Sequence, residues 1–523
     1  MIHLPFSKVP IRNKIIRSAI SERLATPEGI PSMKMIELYR KWSLHPMKPG
    51  ILITGHAMIS HETISEPNNL VIHPSFIGNK DVIERFKSLV NAYKGLDLPP
   101  KHPMYGHNRS AKIILQLNHP GRQVSKEACF SYSKSINKAI STLPRLSGRT
   151  GGALVFAKTS KASPTFLSTT IPNLFAKASI FALSCGFDGV EIHCGHGYLL
   201  SEPGCFETLL TTLKQVSKVT RKNKAILALK LNGSDTIQSE HYSQLVSALH
   251  TFKCDIIEVT GGSYVNPSFL TQTNTFPIAR FYNAKLYIYQ RQRVKKLLSS
   301  QPFFIKDAQT IRKSLHSIQS QTVSIFRKPP IPLVCVVGGI SDPSEKYLER
   351  FCSDFSVDMV GVARSFLITS LVSNHKDIES TSQSCAQSPC EDHRRYSTIR
   401  MRATFHFIVV FLLWIVGLIF PMIKAGVESV YWQEFMKELP CSIDNSKSKK
   451  GWTIIRKKRK EMTKKQSKSS ETYLSGQVVL KTKSMGFLKS CIFVIWAGMK
   501  QILPKKRGWA SGVQSSDPRE TKK

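Results

Sequence analysis

The amino-acid sequence predicts an α/β protein with a (β/α)8 barrel in its N-terminal part. Eight short apolar runs recur between residues 14 and 362, and the stretches between them are compatible with helices. Most of the runs are β-branched and apolar on both faces, as expected for parallel strands that helices cover. Eight such strands alternating with helices, over this length of chain, are typical of the barrel. The predicted strands are Lys14–Ser18, Gly50–Ile53, Ala111–Leu117, Gly189–His193, Ile226–Leu231, Asp255–Thr260, Leu333–Val337 and Asp358–Val362.

A doubly wound open sheet is the alternative architecture. That fold would carry a glycine-rich phosphate-binding fingerprint directly after its first strand. The sequence after the first predicted strand, which includes SAISERLA, has no such pattern. The barrel is therefore the favoured fold.

The composition indicates a further segment beside the barrel. At 523 residues the chain is longer than one compact core usually organises. Its hydrophobic content of 41% is ordinary, but its formal net charge of +39 is not. A uniformly basic surface would suggest nucleic acid or an anionic membrane as the partner. The densest basic run, Arg456–Lys460, lies near the C-terminus, so the tail needs an explanation separate from that of the barrel.

Three segments are expected after the barrel domain, which we place at residues 1–371. Residues 372–404 are polar and rich in Ser and His, and we expect a linker there. Residues 405–423 are apolar apart from His406 and approach the roughly 20 residues needed to cross a bilayer, which predicts a transmembrane helix. A buried helix is the alternative. Residues 424–523 form a basic tail that we expect to be disordered or to lie on a membrane surface.

The tail and the N-terminus together predict a membrane-associated protein with a cytoplasmic barrel. The basic cluster Trp452–Lys468 favours anionic lipid as a partner, and nucleic acid is not expected because no aromatic residues interleave with the charges. The N-terminus lacks the apolar core of a signal peptide, and the eleven cysteines lack paired spacing, so reduced thiols are expected. The positive-inside rule also places the basic tail in the cytoplasm, and a single span cannot put both the barrel and the tail there. A re-entrant or interfacial segment would reconcile the two expectations. An entirely cytoplasmic protein is the alternative.

Polar and glycine residues gather at the carboxyl ends of the predicted strands, where barrels carry their chemistry. Gly338 and Gly339 would let backbone N–H groups approach a phosphate, and Arg364 could close on it from the next strand. Gln116 and Lys230 could face a flavin, which needs donors to its carbonyl oxygens and a nearby positive charge. Each residue also has a structural alternative. The glycines could form a turn and Arg364 could be solvated, while Gln116 could be a capping residue and Lys230 could form an ion pair across the rim.

Two histidines in the segment DGVEIHCGHGYLL allow three interpretations. His193 and His196 could bind a metal, but only His56 and His119 offer themselves as further ligands, and the first strand has no histidine. They could be hydrogen-bonded core residues. They could also donate two hydrogen bonds to one substrate carbonyl and stabilise the enolate that forms when hydride arrives. Tyr198 would then be placed to give a proton to the adjacent carbon.

The sequence resembles the old yellow enzyme family, the NADH:flavin oxidoreductases, over roughly residues 5 to 370. The blocks that carry the resemblance are NKIIRSAISERLATPEG, GILITGHAMI, IILQLNHPGRQ, GFDGVEIHCGHGYLLS, IIEVTGGSY, LVCVVGGI and DMVGVARSFL. The combination of QLNHPGRQ with EIHCGHGY is highly specific. The resemblance implies an FMN-binding barrel that takes hydride from NADH or NADPH and reduces an activated, α,β-unsaturated small molecule.

The resemblance also implies roles for individual residues. Those that would bind the cofactor lie at the ends of six strands: Ser18, Ala19, Ser21, His56, Gln116, Lys230, Gly338, Gly339 and Arg364. Those that would act on the substrate lie at the end of the fourth strand: His193 and His196 as carbonyl and nicotinamide anchors, and Tyr198 as proton donor. No metal and no particular oligomeric state are implied.

Three departures from the family pattern leave a second function open. After YLLS the chain lacks the family's loop and reaches the fifth strand early, which predicts loss of core behind strand four. The stretch 123–163 is only weakly similar, and the stretch 282–330 is long and basic. The alternative is a catalytically degraded barrel that acts as a membrane-associated binding or scaffold protein.

Overall fold

Parallel strands close into a ring in the computed structural model of the chain. The structure describes residues 2–45, 47–131, 139–144, 146, 156–233, 239–263, 304–321, 329–340, 345–363 and 366. The chain divides into two units, Met1–Gln466 and Ser467–Lys523, and the described residues all belong to the first. The predicted linker, transmembrane helix and basic tail lie outside the described residues.

Strands and helices alternate along the described part of the chain. The strands are β1 (Ile2–His3), β2 (Pro10–Ile11), β3 (Ile15–Arg17), β4 (Ile51–Ile53), β5 (Ala57–Met58), β6 (Leu70–Val71), β7 (Lys112–Asn118), β8 (Ala139–Ser141), β9 (Thr159–Lys161), β10 (Gly189–Cys194), β11 (Ile226–Asn232), β12 (Ile256–Thr260), β13 (Leu333–Val337) and β14 (Met359–Val362). The helices are α1 (Met33–Ser43), α2 (Lys80–Lys94), α3 (Lys126–Ser131), α4 (Ile171–Ser184), α5 (Phe206–Lys222), α6 (Ser239–Thr251), α7 (Ile305–Gln321) and α8 (Glu345–Asp354).

The ring contains eight strands, each parallel to both of its neighbours. Their order is β3, β4, β7, β10, β11, β12, β13 and β14, and β14 pairs again with β3. At the closing pair Val360 lies opposite Ile15, and where β7 meets β10 Ile114 lies opposite Gly189. All eight overlap the predicted runs, so the barrel and its strands are confirmed. Because the strands are parallel, their carboxyl ends share one mouth.

The amino end of the barrel has an apolar interior. Alternate residues of the ring strands, such as Ile16 and Ile114, form one buried cluster. Leu4 and Ile11, from the β1–β2 hairpin, are buried in the same cluster, so the hairpin covers this end of the ring. The Asp255 carboxylate accepts the backbone N–H groups of residues 6 and 7 at 2.9 Å and holds the hairpin to β12. The intervening strand residues pack outward against the helices.

The helix after the fourth ring strand is present, contrary to the predicted loss of core. The 17-residue helix α5 packs along α4 and buries Leu213 and Val216. The shortening falls on the connection between β10 and α5. Within it the buried Glu202 carboxylate accepts the hydroxyl of Ser141 at 2.5 Å and the N–H of Thr142 at 3.0 Å. The short connection is therefore fixed by contacts with β8.

One helix among the described residues is long and apolar enough to cross a membrane. It spans Phe166–Ser184 and consists of a π-helical turn followed by α4. Phe175 and Phe181 are buried, and α4 packs against α5 and β10. Its buried face therefore belongs to the helical layer around the ring.

Five buried cysteines form no disulfide: Cys185, Cys194, Cys205, Cys254 and Cys335. The reducing compartment stays a prediction.

Candidate active site

The candidate site lies at the carboxyl mouth of the barrel, where the inward-facing positions change from apolar to polar. On β7, Ile114 belongs to the interior apolar cluster, and the next residues on that face are Gln116 and Asn118. On β11, Ala228 belongs to the same cluster and is followed on its face by Lys230. The barrel interior is thus apolar at one end and polar at the mouth.

His193, the last but one residue of β10, has a neutral imidazole in a defined tautomer. It is buried, and its Nδ1 atom accepts the backbone N–H of Gly195 at 3.2 Å. Burial lowers the pKa of His193 well below its ordinary value, and the nearby His196, Lys230 and His56 lower the pKa further. Since Nδ1 is an acceptor, the proton lies on Nε2, which makes Nε2–H the donor.

His196 adopts a left-handed backbone conformation that three neighbours hold in place. Its φ is 57°, which is uncommon for a residue other than glycine. The backbone N–H donates to Asn232 Oδ1 at 3.0 Å, and the carbonyl accepts from Gln123 Nε2 at 2.8 Å. The ring atom Nε2 lies 3.0 Å from Thr260 Oγ1. Burial, then Lys230 and His56, lowers the pKa of His196 well below its ordinary value.

Tyr198 packs between two of the histidines. Its ring centroid lies 4.8 Å from that of His193 and 5.7 Å from that of His56, both edge to face. Burial lowers the pKa of His56 to about 4, and its Nε2 atom lies 3.3 Å from Ser65 Oγ. The two predicted anchors and the predicted proton donor are therefore brought together, with His56 beside them.

Lys230 is the centre of a buried polar network in the barrel. Its Nζ atom lies 2.5 Å from Glu258 Oε1, and Ser18 Oγ donates to the other oxygen of Glu258 at 2.9 Å. Gln116 Nε2 donates to Glu191 Oε2 at 2.6 Å. Burial alone would lower the pKa of Lys230, but the charges of Glu258 and Glu191 outweigh burial and raise it. The ion pair considered as the alternative for Lys230 is present, inside the barrel rather than on its rim.

The remaining predicted cofactor residues lie at the ends of three other ring strands. Ser21 donates its hydroxyl to Glu66 Oε2 at 2.9 Å, and Ala19 packs at the edge of the interior apolar cluster. Gly338 and Gly339 follow β13 with φ of 114° and 78°, conformations that a side chain disfavours. Arg364 lies outside the described residues, so its role remains a prediction.

Four further polar residues at the mouth escaped the sequence analysis. Glu191 and Glu258 face the interior although each stands within an apolar strand run, in VEIH and IEVT. An acid inside such a run is the signal that could have identified them. Asn118 is fully buried, and neither of its amide atoms has a hydrogen-bond partner. Glu202 lies in the short connection, where its neighbours along the chain give no sign of its contacts.

The donor set at the mouth fits a flavin better than a metal. Within the described residues no group of three His, Cys, Asp or Glu side chains is placed to hold a metal ion. Among the described residues near the mouth, buried polar atoms without a hydrogen-bond partner include Asn118 Oδ1 and Nδ2, His119 Nε2 and Glu191 Oε1. Unmet donors and acceptors beside an ammonium and an amide suit a flat ligand rich in carbonyl and ring nitrogen groups.

Comparison with known proteins gives a family match over the first part of the chain. Residues 4–203 match the NADH:flavin oxidoreductase / NADH oxidase family. This match contains His193, His196 and Tyr198 but ends before Lys230.

Relatives extend the similarity beyond that stretch. The NADH-dependent flavin oxidoreductase nadA of Aspergillus parasiticus is 25% identical over 388 residues, covering 69% of this chain and 74% of the relative. The NADH-dependent flavin oxidoreductase iliE of Neonectria sp. is 25% identical over 389 residues, covering 69% of this chain and 44% of the relative. The structure of the old yellow enzyme homologue from Zymomonas mobilis is 16% identical with a TM-score of 0.45, covering 70% of this chain and 88% of that one. The sequence matches support an oxidoreductase that uses a flavin and a nicotinamide coenzyme.

We expect Lys230→Met to destabilise the flavin-free, full-length chain by about 3–5 kcal/mol, because it leaves buried carboxyl groups without their cation. The free energy of unfolding in urea measures the effect. The double variant Lys230→Met/Glu258→Gln should recover part of the loss, since it removes one of those charges. Lys87→Met, which breaks the exposed pair with Glu84, is the control and should change little. An equally small effect of Lys230→Met would contradict the buried network.

Proposed function

We propose that the chain is an FMN-dependent oxidoreductase that transfers hydride from NADH or NADPH to a carbon–carbon double bond conjugated with a carbonyl group. The observation that carries the proposal is the convergence of His193, His196 and Tyr198 at the mouth of the barrel, beside Lys230 and Gln116. The family match and the names of the sequence relatives support the same reaction class.

FMN would be held by residues from several strands. Gln116 and Lys230 would contact the flavin ring, and Gly338, Gly339 and Arg364 would hold its phosphate. Ser18, Ala19, Ser21 and His56 would line its edge. When bound, FMN supplies the carrier that receives hydride from the coenzyme and passes it to the acceptor.

The two histidines would orient and polarise the substrate. His193 offers an Nε2–H donor, because its Nδ1 atom accepts the N–H of Gly195. The hydrogen bonds of Asn232 and Gln123 to the backbone of His196 fix the direction in which its ring projects. Both imidazoles stay neutral at physiological pH because burial lowers their pKa values. Two fixed donors on one carbonyl oxygen would stabilise the negative charge that develops there.

Tyr198 would complete the reaction by giving its phenolic proton to the carbon next to the carbonyl group. A phenol keeps its proton at neutral pH and can act as a general acid. The contact of its ring with His193 supports this role, because Tyr198 lies beside that histidine. Substrate, donors and acid would thus share one mouth.

The full-length chain, purified with FMN supplied, should show the visible absorption bands of a flavin. Anaerobic addition of NADH or NADPH should bleach these bands, because hydride transfer reduces the cofactor. An absorption spectrum before and after addition is the measurement. A folded chain that remains colourless with excess FMN would contradict the proposal and favour a barrel without catalytic activity.

Tyr198→Phe should lower the rate of acceptor reduction by about 10²–10⁴-fold, the contribution typical of general acid catalysis. Bleaching by the coenzyme should persist, since that step needs no proton from the substrate site. Stopped-flow absorption separates the two steps. Tyr105→Phe removes a hydroxyl group from the loop after α2 and serves as the control. Equal loss of both steps would indicate a structural role for Tyr198 instead.

We further propose that residues 405–423 tether the barrel to a membrane, with the basic cluster Trp452–Lys468 binding anionic lipid. The length and apolar character of the first segment and the charge of the second support this. Sedimentation with membranes after a high-salt wash should be lost when residues 405–423 are deleted, because only the basic cluster would then bind the lipid. Salt washing should release the deletion variant only. A full-length chain found wholly in the soluble fraction would contradict the tether.

A further inference from the structure

Two buried carboxyl groups share a single buried ammonium group inside the barrel. Glu191 on β10 and Glu258 on β12 are fully buried, and Lys230 on β11 is almost so. Lys230 is bonded to Glu258, and Glu258 also accepts the Ser18 hydroxyl. Glu191 accepts one bond from Gln116 through Oε2, while its Oε1 atom is buried without a hydrogen-bond partner. The proposed reaction assigns no role to either carboxyl group.

Within the part of the chain that the structure describes, Lys230 is the cation that acts on Glu191, and no second one does. The ionisable groups that shift the pKa of Glu191 are Glu258 and Lys230. The charge of Glu191 in turn raises the pKa of the Cys254 and Cys335 thiols. The guanidinium of Arg17 interacts with Glu258 but lies on the outer side of β3, where it stacks over Trp42 at 4.1 Å. Three ionised groups would leave one uncompensated negative charge in the interior, which is costly.

One bound proton removes that charge. Burial, then the charge of Glu258, raises the pKa of Glu191 to about 8. With the proton, one ammonium, one carboxylate and one carboxylic acid have no net charge. Without it, the network carries one negative charge directly beside Lys230.

We propose that Glu191 and Glu258 form an internal proton site that is coupled to the flavin: they hold one proton at neutral pH, and after losing it at higher pH they regain it when the cofactor is reduced. This rests on the proposed function, in which Lys230 faces the flavin. Bound FMN, once reduced, would hold two more electrons and one more proton and would therefore present one more negative charge to Lys230. A second proton then moves from solvent to the Glu191 carboxylate, which forms an O–H bond and restores the charge balance around Lys230.

The coupling predicts a change in the number of protons taken up per two electrons. The midpoint potential of FMN in the full-length chain, measured against reference dyes from pH 6 to 10, reports that number as its slope. We expect one proton per two electrons below pH 8 and two above it. Glu191→Gln should take up one throughout, because an amide does not titrate. Glu258→Gln serves if Glu191→Gln does not fold.

Asp255→Asn is the matched control. Asp255 is a buried carboxyl group directly before β12, the strand of Glu258, but it binds the N-terminal hairpin at the opposite end of the barrel. Its slope should follow that of the unsubstituted chain. Identical slopes for the unsubstituted chain and Glu191→Gln would overturn the coupling while leaving the FMN proposal intact.

A second measurement tests the proton site without the cofactor. A carboxyl group whose pKa is raised by folding contributes its full stabilisation when the pH is below its ordinary pKa. That contribution is lost as the pH rises towards the pKa in the folded chain, here between about 4.5 and about 8. Urea midpoints should therefore fall in the unsubstituted chain, relative to Glu191→Gln, between pH 5 and pH 8. Parallel curves would overturn the proton site. Diverging curves in a chain that binds no FMN would overturn the coupling and the proposed function but keep the proton site.

Discussion

Closure of the ring by parallel pairing is the constraint on which the rest of the structure depends. Each ring strand has a neighbour on both sides, so the alternation of side chains is the same all the way round. One set of residues fills the interior and the other packs under the helices. Closure therefore brings together the inward-facing residues at the mouth ends of β7, β10, β11 and β12. Gln116 and Thr260 belong to this set although they are 144 positions apart in the sequence.

The strands could be predicted because each is an apolar run of the right length, and the mouth could be predicted because all strands end there. His193, His196 and Tyr198 could be proposed as a group because they follow a single strand. The partners of Lys230 could not be foreseen. Glu258 lies opposite Lys230 only through the register of β11 with β12, which the local sequence does not specify.

The shortened connection after β10 shows the opposite limit of sequence reasoning. Comparison with the family pattern predicts a loss of supporting core, because the chain has fewer residues between the fourth and fifth strands. The structure retains α5 and shortens only the link to it, with Glu202 bonded to the segment at β8. Contacts of this kind join positions about 60 residues apart, and no local pattern reports them. The buried charges around Lys230 also depend on contacts between distant positions. Their burial costs solvation energy, and the pairing of β11 with β12 brings the Glu258 carboxylate to the Lys230 ammonium group.

The pairing of β14 with β3 has a consequence for how the chain is made. Ile16 lies opposite Gly361, so the last seam of the ring joins residues 345 positions apart. During synthesis, β3 stays unpaired on its β14 side, with the apolar hairpin before it, until almost the whole barrel has left the ribosome. Such long-range closure slows folding and exposes apolar surface in the meantime. The nascent chain is therefore expected to depend on chaperones until Met359–Val362 emerges, whatever the stability of the finished barrel.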